Sequence, residues 1–110
     1  MPTRMLVEYI DERDRSPFGG WFASLNAQAA ARVATVVYRL AEGNLSNVKS
    51  VGKGVSEYKL NFGPGYRIYF GQQAETLIIL LAGGTKHSQT ADIRQAQARW
   101  ADYKRRQRKQ

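Results

Sequence analysis

Three apolar-patterned runs organise the chain between residues 54 and 88, GVSEYKLNFGPGYRIYFGQQAETLIILLAGGTKHS. Two short turn signals separate them, Gly63-Pro64-Gly65 and the QQAE stretch at 72–75. Alternation with β-branched and aromatic residues predicts strands, and gaps this short predict antiparallel hairpins. With Gly63-Pro64-Gly65 as the loop, Phe62 faces Tyr66, Leu60 faces Ile68 and Tyr58 faces Phe70, forming one apolar face. The other face carries Asn61 opposite Arg67, Lys59 opposite Tyr69 and Glu57 opposite Gly71, with no like charges opposed. The pattern predicts a half-buried meander whose outer face is basic and tyrosine-bearing. Thr76–Ala82 lacks alternation and reads as a central strand buried on both sides. Gly83-Gly84 ends it and delivers Thr85, Lys86, His87 and Ser88 at its exit.

Upstream, Met5–Ile10 is a short apolar strand, and Asp11–Ser16 a charged connector. Ser16 as N-cap and Pro17 in the first turn open a short helix with Phe18, Trp21, Phe22 and Leu25 on one face. Asn26 caps a second helix over Ala27–Ala41. Its expected buried stripe is Ala30, Val33, Ala34, Val37, Leu40 and Ala41, with Arg32 and Arg39 off it. Gly43 suits a left-handed helix end, and Leu45–Lys53 reads as a loop. A last helix spans about residues 90–109, with Ile93, Ala96, Trp100 and Tyr103 on one face. The order is β-α-α-β-β-β-α, an α+β class with helices segregated from a mostly antiparallel sheet.

At 110 residues the chain makes one domain. It has no cysteine, which excludes disulfides and thiolate zinc sites and suits the cytosol. The longest clear apolar run, Leu77–Ala82, is far short of a membrane span, and the first residues lack a signal-peptide core, so no membrane partner is expected. A net charge of +8 changes the picture more, because a small basic domain pairs with a polyanion or an acidic protein. Arg99, Lys104, Arg105, Arg106, Arg108 and Lys109 concentrate charge near the C-terminus against Asp102 alone.

No phosphate-loop, zinc-protease or serine-hydrolase signature occurs. With one histidine, and acids such as Asp11, Glu12 and Asp14 at no ligand spacing, neither a metal nor another cofactor is expected. What remains is Lys59, Arg67, Lys86, His87 and Tyr58, Tyr66 and Tyr69. Arginine and lysine neutralise a phosphate and its transition-state charge, and aromatics stack on unpaired bases. A metal-free ribonuclease needs such cations together with a base for the 2′-hydroxyl and an acid for the leaving oxygen. Of the tyrosines, Tyr69 shares the cationic face, whereas Tyr58 and Tyr66 fall on the apolar one.

The segments Gly54-Val55-Ser56-Glu57, Gly63-Pro64-Gly65-Tyr66-Arg67-Ile68-Tyr69-Phe70-Gly71 and Leu77-Ile78-Ile79-Leu80-Leu81-Ala82-Gly83-Gly84-Thr85-Lys86 resemble the RelE/ParE toxin superfamily, in particular its HigB-like "addiction module killer protein" branch. Pro17-Phe18, Trp21, Arg39-Leu40, Gly43-Asn44, Val48-Lys49, Val51-Gly52, Asp92-Ile93 and Ala96 extend the likeness over nearly the whole chain. The resemblance implies a compact microbial-ribonuclease-like fold and a type II toxin that cuts mRNA in the ribosomal A site. The products would be a 2′,3′-cyclic phosphate and a 5′-hydroxyl. It also implies a cognate helix-turn-helix antitoxin (HigA-like), and operator DNA bound through the toxin–antitoxin complex.

By the same resemblance Arg67 would hold the scissile phosphate, Lys59 would bind RNA or assist as a base, and Lys86 would supply a further cation. Lys49, Lys53, Asn61, Lys104 and Arg105 would bind RNA. Asn61 stands where the RelE pattern has a second lysine, and Thr90-Ala91 where it has a tyrosine. That leaves His87 and Tyr69 as alternatives for proton transfer. Two other functions fit the same superfamily, a ParE-like inhibitor of DNA gyrase and a degenerate toxin acting as transcriptional co-repressor.

Overall fold

A computed structural model describes residues 4–109. The elements are β1 (Met5–Glu8), α1 (Pro17–Ala23), α2 (Ala27–Ala41), β2 (Val48–Ser50), β3 (Val55–Lys59), β4 (Arg67–Gln73), β5 (Leu77–Gly84) and α3 (Gln89–Arg108), with a 3-10 turn at Lys86–Ser88 before α3. They form an α+β fold around one mixed sheet of order β1-β5-β4-β3-β2, in which β1 runs parallel to β5 and every other pair is antiparallel. Strand β2 lies inside the expected Leu45–Lys53 loop; three residues on a sheet edge are too few to show alternation. Strand β5 also continues through Gly83-Gly84 rather than stopping before them.

Local chemistry sets the helix ends. Ser16 Oγ accepts from the Gly19 N–H at 2.9 Å, and Asn26 Oδ1 from the Ala29 N–H at 2.8 Å, each satisfying a donor with no partner inside its helix. Gly43, at φ +87°, closes α2 as the Gly43 and Asn44 N–H groups reach back to the Leu40 and Arg39 carbonyls. The buried stripe of α2 is Ala29, Val33, Val36 and Leu40, rotated from the expected one, and Ala34 faces solvent. Val36 carries more apolar surface than Ala34, so burial favours this rotation.

The helices do not lie on one side. Helices α1 and α2 cover one sheet face, packing Phe18, Val33 and Leu40 on Tyr58, Ile68, Phe70, Ile78 and Leu80. Helix α3 covers the other with Ala96 and Trp100 on Val55, Tyr69, Ile79 and Leu81. The face expected to be open and basic is therefore largely roofed. Two glycines permit this closeness: a Cβ at Gly71 would run into the Trp100 ring, and one at Gly83 into Trp21. A bulge sets Tyr69 opposite Ala82 but Phe70 opposite Leu80, so the consecutive Leu81 and Ala82 both serve the α3 side.

The C-terminal half of α3 is tied down by Asp102, which accepts from the Tyr9 hydroxyl at 2.7 Å and ion-pairs with Arg105 and Arg106. No helix among the described residues is long and apolar enough to cross a membrane.

Candidate functional site

The β3–β4 hairpin pairs two residues away from the register expected of a three-residue loop. Leu60 N–H donates to the Tyr66 carbonyl at 2.9 Å, and Gly65 N–H to the Phe62 carbonyl at 3.2 Å, so the connection is Asn61–Gly65. An even shift preserves which side chains share a face but changes every partner. Lys59 stands opposite Arg67, Glu57 opposite Tyr69, and Arg67 on its other side opposite Gly84. Residues directly opposed on antiparallel strands carry their Cβ atoms about 4.5–5.5 Å apart, and like charges so placed repel. The expectation that no like charges oppose is thus overturned at the cations that matter most.

Glu57 offsets this repulsion. Its side chain is 1% exposed; Oε2 lies 3.6 Å from Arg67 Nε and accepts from Gln89 Nε2 at 2.9 Å. Its Oε1 is 3.8 Å from Lys49 Nζ and has no hydrogen-bond partner. Arg67 is itself buried at 5% side-chain exposure, with Nη1 donating to the Gly65 carbonyl at 2.7 Å. It is neither the solvated residue of an open sheet nor a freely exposed phosphate hook. Lys59 is exposed.

Tyr69 is fully buried, and its hydroxyl has no hydrogen-bond partner. Burial first, then the nearby Glu57 charge, pushes its pKa well above that of an ordinary tyrosine. Sealed from solvent, its hydroxyl is out of reach of a substrate, which removes it from proton abstraction. His87 and Lys86 are exposed on the 3-10 turn at the exit of β5. That turn docks on the β3–β4 loop, where the Lys86 N–H donates to the Pro64 carbonyl at 3.3 Å. Gly65, at φ +76°, fits between Arg67 and Lys86: a Cβ there would stand 3.1 Å from Arg67 Nη1 and 3.4 Å from Lys86 Cβ.

Lys49, Lys59 and Asn61 line a cleft of about 290 Å³ together with Asn47 and Glu57. The site therefore gathers Lys59, Arg67, Lys86, His87, Lys49 and Asn61, with Tyr69 underneath. Lys53, Lys104 and Arg105 are elsewhere. Lys53 sits in the β2–β3 turn at φ +56°, about 20 Å along β3 from Lys59 at strand rise. Lys104 lies over the Trp100 ring at 5.6 Å and Arg105 pairs with Asp102, both more than about 20 Å along α3 from Gln89.

Glu57 and Gln89 were not expected in the site. Glu57 did carry a signal, as an acid on the strand face of Lys59, Arg67 and Tyr69. Gln89 carried none. Among the described residues no three His, Cys, Asp or Glu side chains group as a metal site.

No family model matches the chain. An uncharacterized protein of Haemophilus influenzae is 41% identical over 80 residues, which make up 72% of this chain and 81% of that protein.

Proposed function

The chain belongs to one family with that Haemophilus influenzae protein, and we propose that it is a RelE-like, HigB-like toxin that cleaves mRNA without a metal. The observation that carries this reading is the opposition of Lys59 and Arg67 in the β3–β4 register, beside the Lys86 turn. Cations set directly opposite one another disfavour folding slightly. Local rules are broken mainly at functional sites, and the Glu57 carboxylate offsets only one of the two cations. A phosphodiester seated on Lys59 and Lys86, with Arg67 beneath, relieves the repulsion. The fold is compatible with the microbial-ribonuclease-like architecture the resemblance implies, with β2 added to the expected order.

Proton transfer follows from the same cluster. Glu57 is sealed from solvent, so the exposed His87, beside Lys86 on the turn after β5, is the acceptor for a substrate hydroxyl. The 2′-hydroxyl gives it a proton as its oxygen attacks the adjacent phosphorus, and the bond from phosphorus to the 5′-oxygen breaks. Lys86, exposed next to His87 on the same turn, gives a proton to that leaving oxygen. The products are a 2′,3′-cyclic phosphate and a 5′-hydroxyl. The toxin acts on mRNA at the ribosome in the cytoplasm, a HigA-like helix-turn-helix antitoxin holds it off, and the pair binds operator DNA.

The test is expression without antitoxin in cells, followed by mapping of mRNA 5′-hydroxyl ends. New ends from the wild type that Lys59→Ala abolishes are expected; equal end patterns from both would reject the site. A second reading, a ParE-like gyrase inhibitor, is favoured by one observation: Arg67 and Tyr69 are sealed from solvent. Inhibition of gyrase supercoiling with mRNA left intact would establish it instead.

A further inference from the structure

A second cleft opens on the α2 side of the same hairpin. It has a volume of about 260 Å³ and is lined by Arg32 and Arg39 of α2 and by Asn47, Lys59, Asn61 and Phe62, with no acidic residue in its lining. That volume is near the ~300 Å³ lower end of ligand sites. It shares Asn47, Lys59 and Asn61 with the cleft over Glu57, so the two form one groove that runs past Lys59.

The chemistry of this part differs from that of the catalytic cluster. The Arg32 guanidinium lies over the Phe62 ring, 4.4 Å from its centroid. Arg32 is also exposed, and guanidinium planes are platforms for unpaired bases. Asn47 spends one amide N–H on the Tyr58 hydroxyl at 3.2 Å, which leaves its carbonyl oxygen for a ligand. Asn61 is exposed beside it. The two amides offer the donor and acceptor that a base edge needs. Arg39 lies seven residues, two helical turns, from Arg32 on the same side of α2, about 10 Å away along the axis. A guanidinium over an aromatic ring, two amides and two further cations in one cleft suit a nucleotide better than an acidic protein surface, which needs no stacking plane.

We infer that this groove holds one unpaired nucleotide of the RNA strand next to the scissile phosphate, its base on the Arg32–Phe62 stack and its flanking phosphates on Arg39 and Lys59. The inference rests on the ribonuclease reading for the identity of the neighbouring phosphate.

The probe is a 2′-O-methyl RNA hexanucleotide, which cannot be cleaved. It is titrated into the full ¹⁵N-labelled chain and followed in parallel by fluorescence anisotropy at several salt concentrations. Expected are shifts of the Asn47 and Asn61 side-chain amides. Arg39→Gln should lower the slope of log affinity against log salt by about 0.7, the value of one single-strand phosphate contact. Arg32→Lys, which keeps the charge but not the plane, and Phe62→Leu should each weaken binding at least about fivefold. Arg32 and Arg39 are exposed on α2, so their variants keep the fold; thermal unfolding verifies it.

No binding by the wild type, shifts confined to other regions, or affinities within twofold of wild type in all three variants would overturn the inference. Groove-dependent binding by a wild type that produces no 5′-hydroxyl ends would sink the ribonuclease reading while the nucleotide site stands. Cleavage that persists while the groove variants bind normally would sink the groove alone.

Discussion

Removing the charge of Glu57 is the perturbation with the largest effect derivable from the site. Glu57→Gln keeps the shape and the contact with Gln89, but leaves Arg67, at 5% side-chain exposure, without a carboxylate. Breaking a buried ion pair by deleting one partner costs about 3–5 kcal/mol. The 3.6 Å separation is beyond hydrogen-bond reach and Arg67 keeps its bond to the Gly65 carbonyl, so the lower end applies, about 3 kcal/mol. That is a large part of the ~5–15 kcal/mol that holds a domain together. At roughly 4–8 °C per kcal/mol for a domain of this size, the midpoint falls by about 12–24 °C. Thermal and urea unfolding followed by circular dichroism measure it.

The double variant Glu57→Gln/Arg67→Met replaces the pair with neutral groups, and it should be at least about 2 kcal/mol more stable than the sum of the single effects requires. A fall of less than about 4 °C for Glu57→Gln, or single effects that add within about 0.5 kcal/mol, would refute the reasoning.

Three further outcomes follow from the packing and the titrating groups. Tyr69→Phe removes a buried hydroxyl that has no partner, so it should leave stability unchanged or raise it by up to about 1 kcal/mol in chemical denaturation, with cleavage retained. Gly71→Ala should cost about 1–3 kcal/mol in the same assay, and more than Gly83→Ala, because Trp100 is 5% exposed and boxed in whereas Trp21 is half-buried and can move. Hydrogen bonds from Arg106 and then Tyr9 hold the Asp102 carboxyl below its usual range. Its contribution is therefore complete above the unfolded carboxylate pKa of about 3.9 and is lost as pH falls through the lower folded value. A pH series of melting temperatures should show Asp102→Asn destabilised at neutral pH and converging on wild type in that acidic window.

Local sequence identified both helix caps, the left-handed glycine after α2 and the side-chain alternation of the hairpin, because these depend on residue type and on neighbours a few residues apart. It misplaced what depends on the rest of the chain. Gly63-Pro64-Gly65 looks like a complete loop, yet the ladder ends at Leu60 and Tyr66, and that difference decides which residue faces Arg67. The polar letters of Glu57, Lys59, Arg67 and Tyr69 suggested an open face, but Trp100 and Ala96 cover much of it, and the buried charges survive by pairing with each other. On α2, closely spaced alanines blur the stripe, and only packing against the sheet selects Ala29 and Val36. The cations of the site were legible as residue types. Glu57 became part of the site only through the register.

The central claim is that the opposed cations of the hairpin exist to hold an RNA phosphate. Lys59 is the member to test, since it is exposed and its removal relieves repulsion, so Lys59→Ala should melt at or slightly above the wild-type temperature. The measurement is the yield of new mRNA 5′-hydroxyl ends in antitoxin-free cells expressing either protein at equal level. The account predicts abundant ends from the wild type and at least about tenfold fewer from Lys59→Ala, the loss of one charge-assisted contact. Equal yields from both proteins, or no new ends from the wild type, would contradict it.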